Sequence, residues 1–203
     1  MINLQINGQC LQAAPGTTLL ELARRHDIVI PTLCHLPGRE ARSVCRLCVV
    51  EVAGQERLFP ACSTAVSAGM VVRTHSQKCI HTRQVLMEFI IAEHGGLHTL
   101  SPPLRALAAE LGVSAARFAL TPQHAADGNR YGSDYIRLQQ DKCIHCDRCI
   151  AACRDHHIIH RAGRGANTQL TFGTHNTPLA ETPCTSCGDC VAVCPTGALS
   201  EQG

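Results

Sequence analysis

Aromatic side chains are scarce. Trp is absent and aromatic residues total 3%, so the aliphatic core must be supplemented by something else. Charge is also thin, at 17%, and nearly balanced, with 18 basic and 16 acidic residues for a net +2. Without a basic excess there is no electrostatic footprint for a nucleic-acid surface. No apolar run approaches the roughly 18 residues of a membrane span. The opening string MINLQINGQC has neither a basic nor an apolar leader region, which predicts no signal peptide and a cytoplasmic protein. An apolar share of 45% over 203 residues nonetheless predicts a globular chain of one large or two small domains. What is abundant is cysteine: 14 residues. In a reducing compartment, cysteines at short fixed spacings point to metal ligation before disulfides.

Twelve of the fourteen fall into three blocks of four. Cys34, Cys45, Cys48 and Cys62 are spaced C-x10-C-x2-C-x13-C. Cys143, Cys146, Cys149 and Cys153 follow C-x2-C-x2-C-x3-C, and Cys184, Cys187, Cys190 and Cys194 repeat it, with Pro195 next. Cys10 and Cys79 are left over.

The repeated spacing is the bacterial ferredoxin pattern for a 4Fe–4S cluster. Three thiolates two residues apart wrap one face of the cube, and the fourth arrives from the other run. Crossed ligation is therefore expected: Cys143, Cys146, Cys149 and Cys194 on one cluster, and Cys184, Cys187, Cys190 and Cys153 on the other. Structural zinc is the competing chemistry, but zinc usually takes two well-separated pairs. Four cysteines in 11 residues, twice over, suit two cubes better. The N-terminal block has plant-type logic for a 2Fe–2S cluster, with a first gap of 10 residues where soluble plant ferredoxins have about 4. Cys45 and Cys48 are expected to share one edge of that site, Cys34 and Cys62 to close it, and Arg42 and Arg46 to compensate its charge.

Around the first block the local signals describe a small α+β domain. Leu4 and Ile6 alternate with polar residues, Asn7–Gly8 is a type I′ hairpin signal, and a second strand follows. Thr17 or Thr18 caps a short helix over Leu19 to Arg25, with Glu21 completing the cap. Ile28 to Ile30, Val49 to Val52 and Met70 to Arg73 read as strands. Ser76 caps a long helix with apolar positions Ile80, Val85, Leu86, Phe89 and Ile90, ending at Gly95–Gly96. Residues 101–120, broken at Gly112, predict two short helices. Their string LAAELGVS resembles part of a DNA-reading helix-turn-helix but brings no recognition helix and no basic excess. Residues 121–133 read as a linker. His156, His157 and His160 sit at helical spacing, for which surface or subunit contact is the simpler role.

The strings IPTLCHLPGREARSVCRLCVVEV, LFPACSTAVSAGMVV, DKCIHCDRCIAACRD and CTSCGDCVAVCPTGAL resemble the iron–sulfur front of the large iron–sulfur subunit of respiratory complex I. The same front occurs in NAD-dependent formate dehydrogenases, iron-only hydrogenases and the small diaphorase subunit of NAD-linked nickel–iron hydrogenases. The resemblance covers essentially the whole chain. It implies a β-grasp, plant-type ferredoxin-like domain over 1–75, a helical connector over 76–133 and a two-4Fe–4S ferredoxin domain over 134–203. One departure stands out. The family carries a further 4Fe–4S cluster on an H-x3-C-x2-C-x5-C motif after the long helix. Here His94 takes the histidine's place and no cysteine follows before Cys143. That site is expected to be empty, and Cys79 to be a buried helix thiol.

No GxGxxG follows a strand, and no Ser/His/Asp constellation is present. The expected function is electron transfer by one 2Fe–2S and two 4Fe–4S clusters, without substrate chemistry in this chain. The resemblance implies a relay between a flavin- and NAD(P)H-binding iron–sulfur subunit and a catalytic molybdopterin or nickel–iron subunit. A formate dehydrogenase complex is favoured over a hydrogenase. A free ferredoxin-like shuttle and a cluster-based sensor are the other readings, with no nucleic-acid or membrane partner expected.

Overall fold

The computed structural model describes residues 1–119, 131–153, 157–173 and 177–202. It divides into two compact units, Met1–His35 with Ala41–Leu86, and Leu36–Glu40 with Met87–Gly203.

The first unit begins with the hairpin of β1 (Ile2–Ile6) and β2 (Gln9–Ala13), which pair antiparallel with Leu4 opposite Leu11. Asn7 and Gly8 both take positive φ, +52° and +85°, as a type I′ turn requires. Alternation then does the rest: Leu4, Ile6, Leu11 and Ala13 are buried. Helix α1 (Leu19–Arg25) starts on a complete capping box. Thr18 Oγ1 accepts from the Glu21 N–H and Glu21 accepts from the Thr18 N–H, at 3.2 and 2.9 Å. Two of the four orphan donors of the first turn are thereby satisfied. Thr18→Ala should lower stability by about 1 kcal/mol, read as a lower midpoint in thermal unfolding of the cluster-loaded protein. An unchanged midpoint would show the box to be redundant.

Strands β3 (Val49–Val52), β4 (Leu58–Pro60) and β5 (Val71–Arg73) complete a five-stranded sheet ordered β2-β1-β5-β3-β4. β5 is parallel to β1 and antiparallel to β3. Leu19, Leu20, Leu22 and Ala23 of α1 share one core with Leu4, Ile6, Val50, Val52 and Val72. A mixed sheet holding one helix is the β-grasp arrangement, and the class is α+β. Two details differ from expectation. Ile28–Ile30 forms no strand: Ile30 is buried and Val29 exposed, so the alternation serves packing without a ladder. β4 has no counterpart among the expected strands; it ends on Pro60 and is the edge strand, where a missing N–H is tolerated.

Helix α2 (Gln77–Glu93) has Ser76 Oγ accepting from the Cys79 N–H at 3.4 Å. It ends where Gly96 N–H reaches Ile91 O and Gly95 N–H reaches Ala92 O, at 2.9 and 3.3 Å, a Schellman closure. Its buried positions are Cys79, Arg83, Met87, Glu88, Ile91 and Ala92. The expected apolar set is not the buried one: Phe89 is exposed, and Ile80, Val85, Leu86 and Ile90 are only half-buried.

In the second unit, α3 (Pro102–Glu110) starts on prolines and ends at Gly112, φ +68°. Residues 113–119 then form no second helix. That stretch is tied back to α2 instead. Arg117 Nε donates to both carboxylate oxygens of buried Glu88, at 2.9 and 2.8 Å, and Phe118 meets Phe89 at 4.8 Å between ring centroids. The linker reading of 121–133 falls mostly outside the described residues. So do the last position of the second expected helix and His156.

The C-terminal part of this unit has two antiparallel strand pairs, β6 (Ile136–Leu138) with β9 (Leu199–Glu201), and β7 (Ile159–Ala162) with β8 (Gln169–Phe172). Between them lie the short helices α4 (Arg148–Ala152) and α5 (Asp189–Ala192). Buried Gln140 joins the layers. Its amide donates to Leu170 O at 2.6 Å and accepts from Leu170 N–H at 3.2 Å. The turn after β7 demands Gly163, whose φ is +82° and where a Cβ would lie 2.0 Å from Asn167 O. His157 and His160 are exposed.

Candidate metal centres

The N-terminal block converges. Cys34 and Cys45 lie within hydrogen-bonding reach of each other, as do Cys48 and Cys62. The charges of Cys45 and Cys34 act on Cys48 and Cys62 in turn, so the four thiols make one nest. Within each pair the hydrogen bond leads the effect. It pushes Cys34 and Cys48 up, with burial adding to the rise, and pulls Cys45 and Cys62 down against burial. The thiol contacts thus run Cys34 to Cys45 and Cys48 to Cys62.

The loop that carries Cys45 supplies further contacts. Ser43 and Arg46 take positive φ, +53° and +58°, and the backbone N–H groups of Val44 and Leu47 are directed at Cys34 and Cys45. Ser43 Oγ sits 3.3 Å from Cys62 Sγ. N–H and O–H groups aimed at sulfur stabilise the thiolate form, which a cluster requires. Arg42 and Arg46 are exposed. The buried cation of this unit is Arg83, 1% exposed, which sequence reasoning missed.

The two C-terminal runs form two nests. Each begins in a tight loop with matched backbone: His145 and Asp147 have φ +52° and +61°, and Ser186 and Gly188 +55° and +81°. Cys143, Cys146 and Cys149 all feel the charge of Cys194. Cys190 feels Cys153, Cys184 and Cys187. The same two foursomes line two separate small cavities. Cys149 also feels Cys190, so the nests abut. Burial pushes Cys143 up to about 12, Cys146 to about 11 and Cys190 to about 12.

Further donors reach sulfur here. Leu199 N–H points at Cys194 Sγ at 3.5 Å, and Ser186 N–H at Cys184 Sγ at 3.4 Å. His145 Nδ1 lies 3.7 Å from Cys143 Sγ. Asp147, buried between Cys146 and α4, is paired with Arg161 at 3.4 Å; the second run has Gly188 there.

His94 donates from Nδ1 to Ile90 O at 3.0 Å. Its Nε2 is buried with no hydrogen-bond partner among the described residues. The adjoining cavity is lined by Thr99, Ser101, Gln140 and Cys143 among others, and its only thiol is Cys143, already part of a nest. Among the described residues, no three His, Cys, Asp or Glu side chains close on a single ion. Cys79 is buried in α2 and Cys10 is exposed.

Comparison with known proteins agrees with this layout. Residues 1–77 match the 2Fe–2S iron–sulfur cluster binding domain and residues 142–198 the 4Fe–4S dicluster domain. The gamma subunit of the NAD-reducing hydrogenase HoxS from Cupriavidus necator is 30% identical, across 99% of this chain and 87% of that one. The chain belongs to this family of iron–sulfur subunits. The family's NADP-reducing hydrogenase subunit HndD from Solidesulfovibrio fructosivorans is 36% identical over all of this chain, which spans only 36% of HndD. Among solved structures, a chain of an NAD+-reducing NiFe-hydrogenase in its H2-reduced state aligns with TM-score 0.84 at 27% identity. That alignment covers 100% of this chain and 88% of the other.

The chain carries a 2Fe–2S cluster binding domain and a 4Fe–4S dicluster domain. Its relatives are subunits of NAD(P)-linked oxidoreductases. Among the described residues, no helix is long and apolar enough to cross a membrane.

Proposed function

We propose that this chain is a three-cluster relay between a flavin-containing subunit that handles NAD(P)H and a second, catalytic subunit. The observation that carries the proposal is the sorting of twelve cysteines into three nests of four, with Cys194 exchanged for Cys153 between the two C-terminal runs. Cys34, Cys45, Cys48 and Cys62 hold the 2Fe–2S cluster. Cys143, Cys146, Cys149 and Cys194 hold one 4Fe–4S cluster, and Cys184, Cys187, Cys190 and Cys153 the other. Bound clusters accept and release one electron at a time. The protein supplies thiolates, half of them fully buried, N–H groups aimed at sulfur and two abutting nests.

The catalytic partner carries a nickel–iron or molybdopterin centre. Near-complete correspondence with a hydrogenase subunit supports the first, whereas the sequence alone favours a formate dehydrogenase. Anaerobically purified protein should contain about 10 irons per chain, the sum of one 2Fe–2S and two 4Fe–4S clusters. Reduced samples should give one 2Fe–2S signal and two interacting 4Fe–4S signals in low-temperature EPR. About 14 irons would mean that His94 had recruited a fourth cluster; zinc in place of iron would remove the relay altogether.

A further inference from the structure

Arg83 is the largest fully buried side chain among the described residues. Its guanidinium donates from Nε to Leu47 O at 2.9 Å and from Nη2 to Val49 O at 2.7 Å. Those two carbonyls flank Cys48 in sequence, so the fork grips the backbone on either side of one thiol. The groups that favour its charged form are two thiols, while His75 also feels its charge. Burial lowers its pKa, while the thiols of Cys79 and Cys48 act in the opposite direction. It forms no salt bridge with a carboxylate among the described residues. Burying a cation without an opposite charge is expensive, and two backbone carbonyls offset only part of that cost. Among the described residues, no carboxylate supplies a full counter-charge.

We propose that Arg83 is the counter-cation and positioning residue of the N-terminal cluster, holding the Cys48 loop and biasing the cluster toward its reduced form. The inference rests on the assignment of Cys48 to that cluster. Reduction adds one electron and hence one negative charge beside a fixed, desolvated cation. Coulomb attraction at low local dielectric favours the reduced state more than the oxidised one. Arg83 lies on α2, beyond the 1–77 span of the matched 2Fe–2S domain. The long helix is therefore an electrostatic part of the first site.

The test is an EPR-monitored redox titration of the 2Fe–2S signal in the full chain carrying Arg83→Met or Arg83→Lys. Absence of the 2Fe–2S signal from the unsubstituted protein would overturn the ligand assignment itself. Given that signal, the Met variant should be harder to reduce by at least about tenfold in the reduction equilibrium, equivalent to 59 mV for one electron. The Lys variant should stay close to the unsubstituted protein. An unshifted Met variant, or a Lys variant shifted as far as Met, would overturn the proposal. Should Met prevent cluster loading, the Lys variant decides: loading with the original potential supports the counter-cation, and failure to load overturns it, because the charge is retained.

Discussion

Replacing Cys194 by alanine is expected to dismantle the cluster of the first run, not that of its own. Cys194 is the residue whose charge acts on Cys143, Cys146 and Cys149 alike, and it lines their cavity. A 4Fe–4S cube missing one thiolate is left with an open iron, and the expected loss is about four irons per chain. A cycle of double variants identifies which cluster is lost, since residues acting as a unit are non-additive. Cys194→Ala with Cys146→Ala should cost no more iron than either alone. Cys194→Ala with Cys187→Ala should cost both clusters, about eight irons. Uncrossed ligation would reverse the two outcomes.

The second large effect concerns the iron-free protein. Burial pushes Cys143 and Cys190 up to about 12 and Cys146 to about 11, against a reference of 9.0. A folded-state pKa above the unfolded one contributes stability that is fully present below the unfolded value and lost as pH rises through the folded one. Iron-free protein should therefore lose stability between about pH 9 and pH 12. A tenfold difference in proton affinity between the folded and unfolded chain is worth about 1.4 kcal/mol, so several kcal/mol are at stake across these thiols. Six cysteines belong to or pack against this small core, and the loss should unfold it. The loaded protein should be insensitive in the same window, because its thiolates are already deprotonated and bound. Urea unfolding of both forms at pH 7, 9 and 10 reads the difference. Equal slopes against pH would show that the buried thiols carry no such penalty.

Much of this was legible because the signals were local. The Thr18–Glu21 box set the start of α1, Asn7–Gly8 set the hairpin, and the repeated cysteine spacing announced two cubes. The expected exchange between runs rests on the two-cluster ferredoxin pattern, and the structure places Cys194 with the first run and Cys153 with the second. What failed depended on distant partners. Ile28–Ile30 carries strand chemistry but had no ladder to join. The segment after Gly112 has helix formers, yet Arg117 and Phe118 are held by Glu88 and Phe89 in another element. Arg83 is the position most easily passed over, although it leaves a signal. Positions 79, 83 and 87 lie along one helical face, and a cation between Cys and Met on a buried face needs an anion. Which carbonyls it grips, and that Cys45 pairs with Cys34, are properties of the folded loop that spacing does not encode.

On the proposed ligand sets, the exchange of Cys153 and Cys194 would also set the order of assembly. The first-run loop is translated by residue 149, but its fourth thiol arrives only at residue 194. Neither C-terminal cage can close while the second run is still unsynthesised. On that assignment both C-terminal clusters would be delivered only after residue 194. The N-terminal nest, by contrast, has its thiols by Cys62 and its buried cation by Arg83. A nascent chain thus holds a complete N-terminal set of four cysteines while both C-terminal sets still lack members.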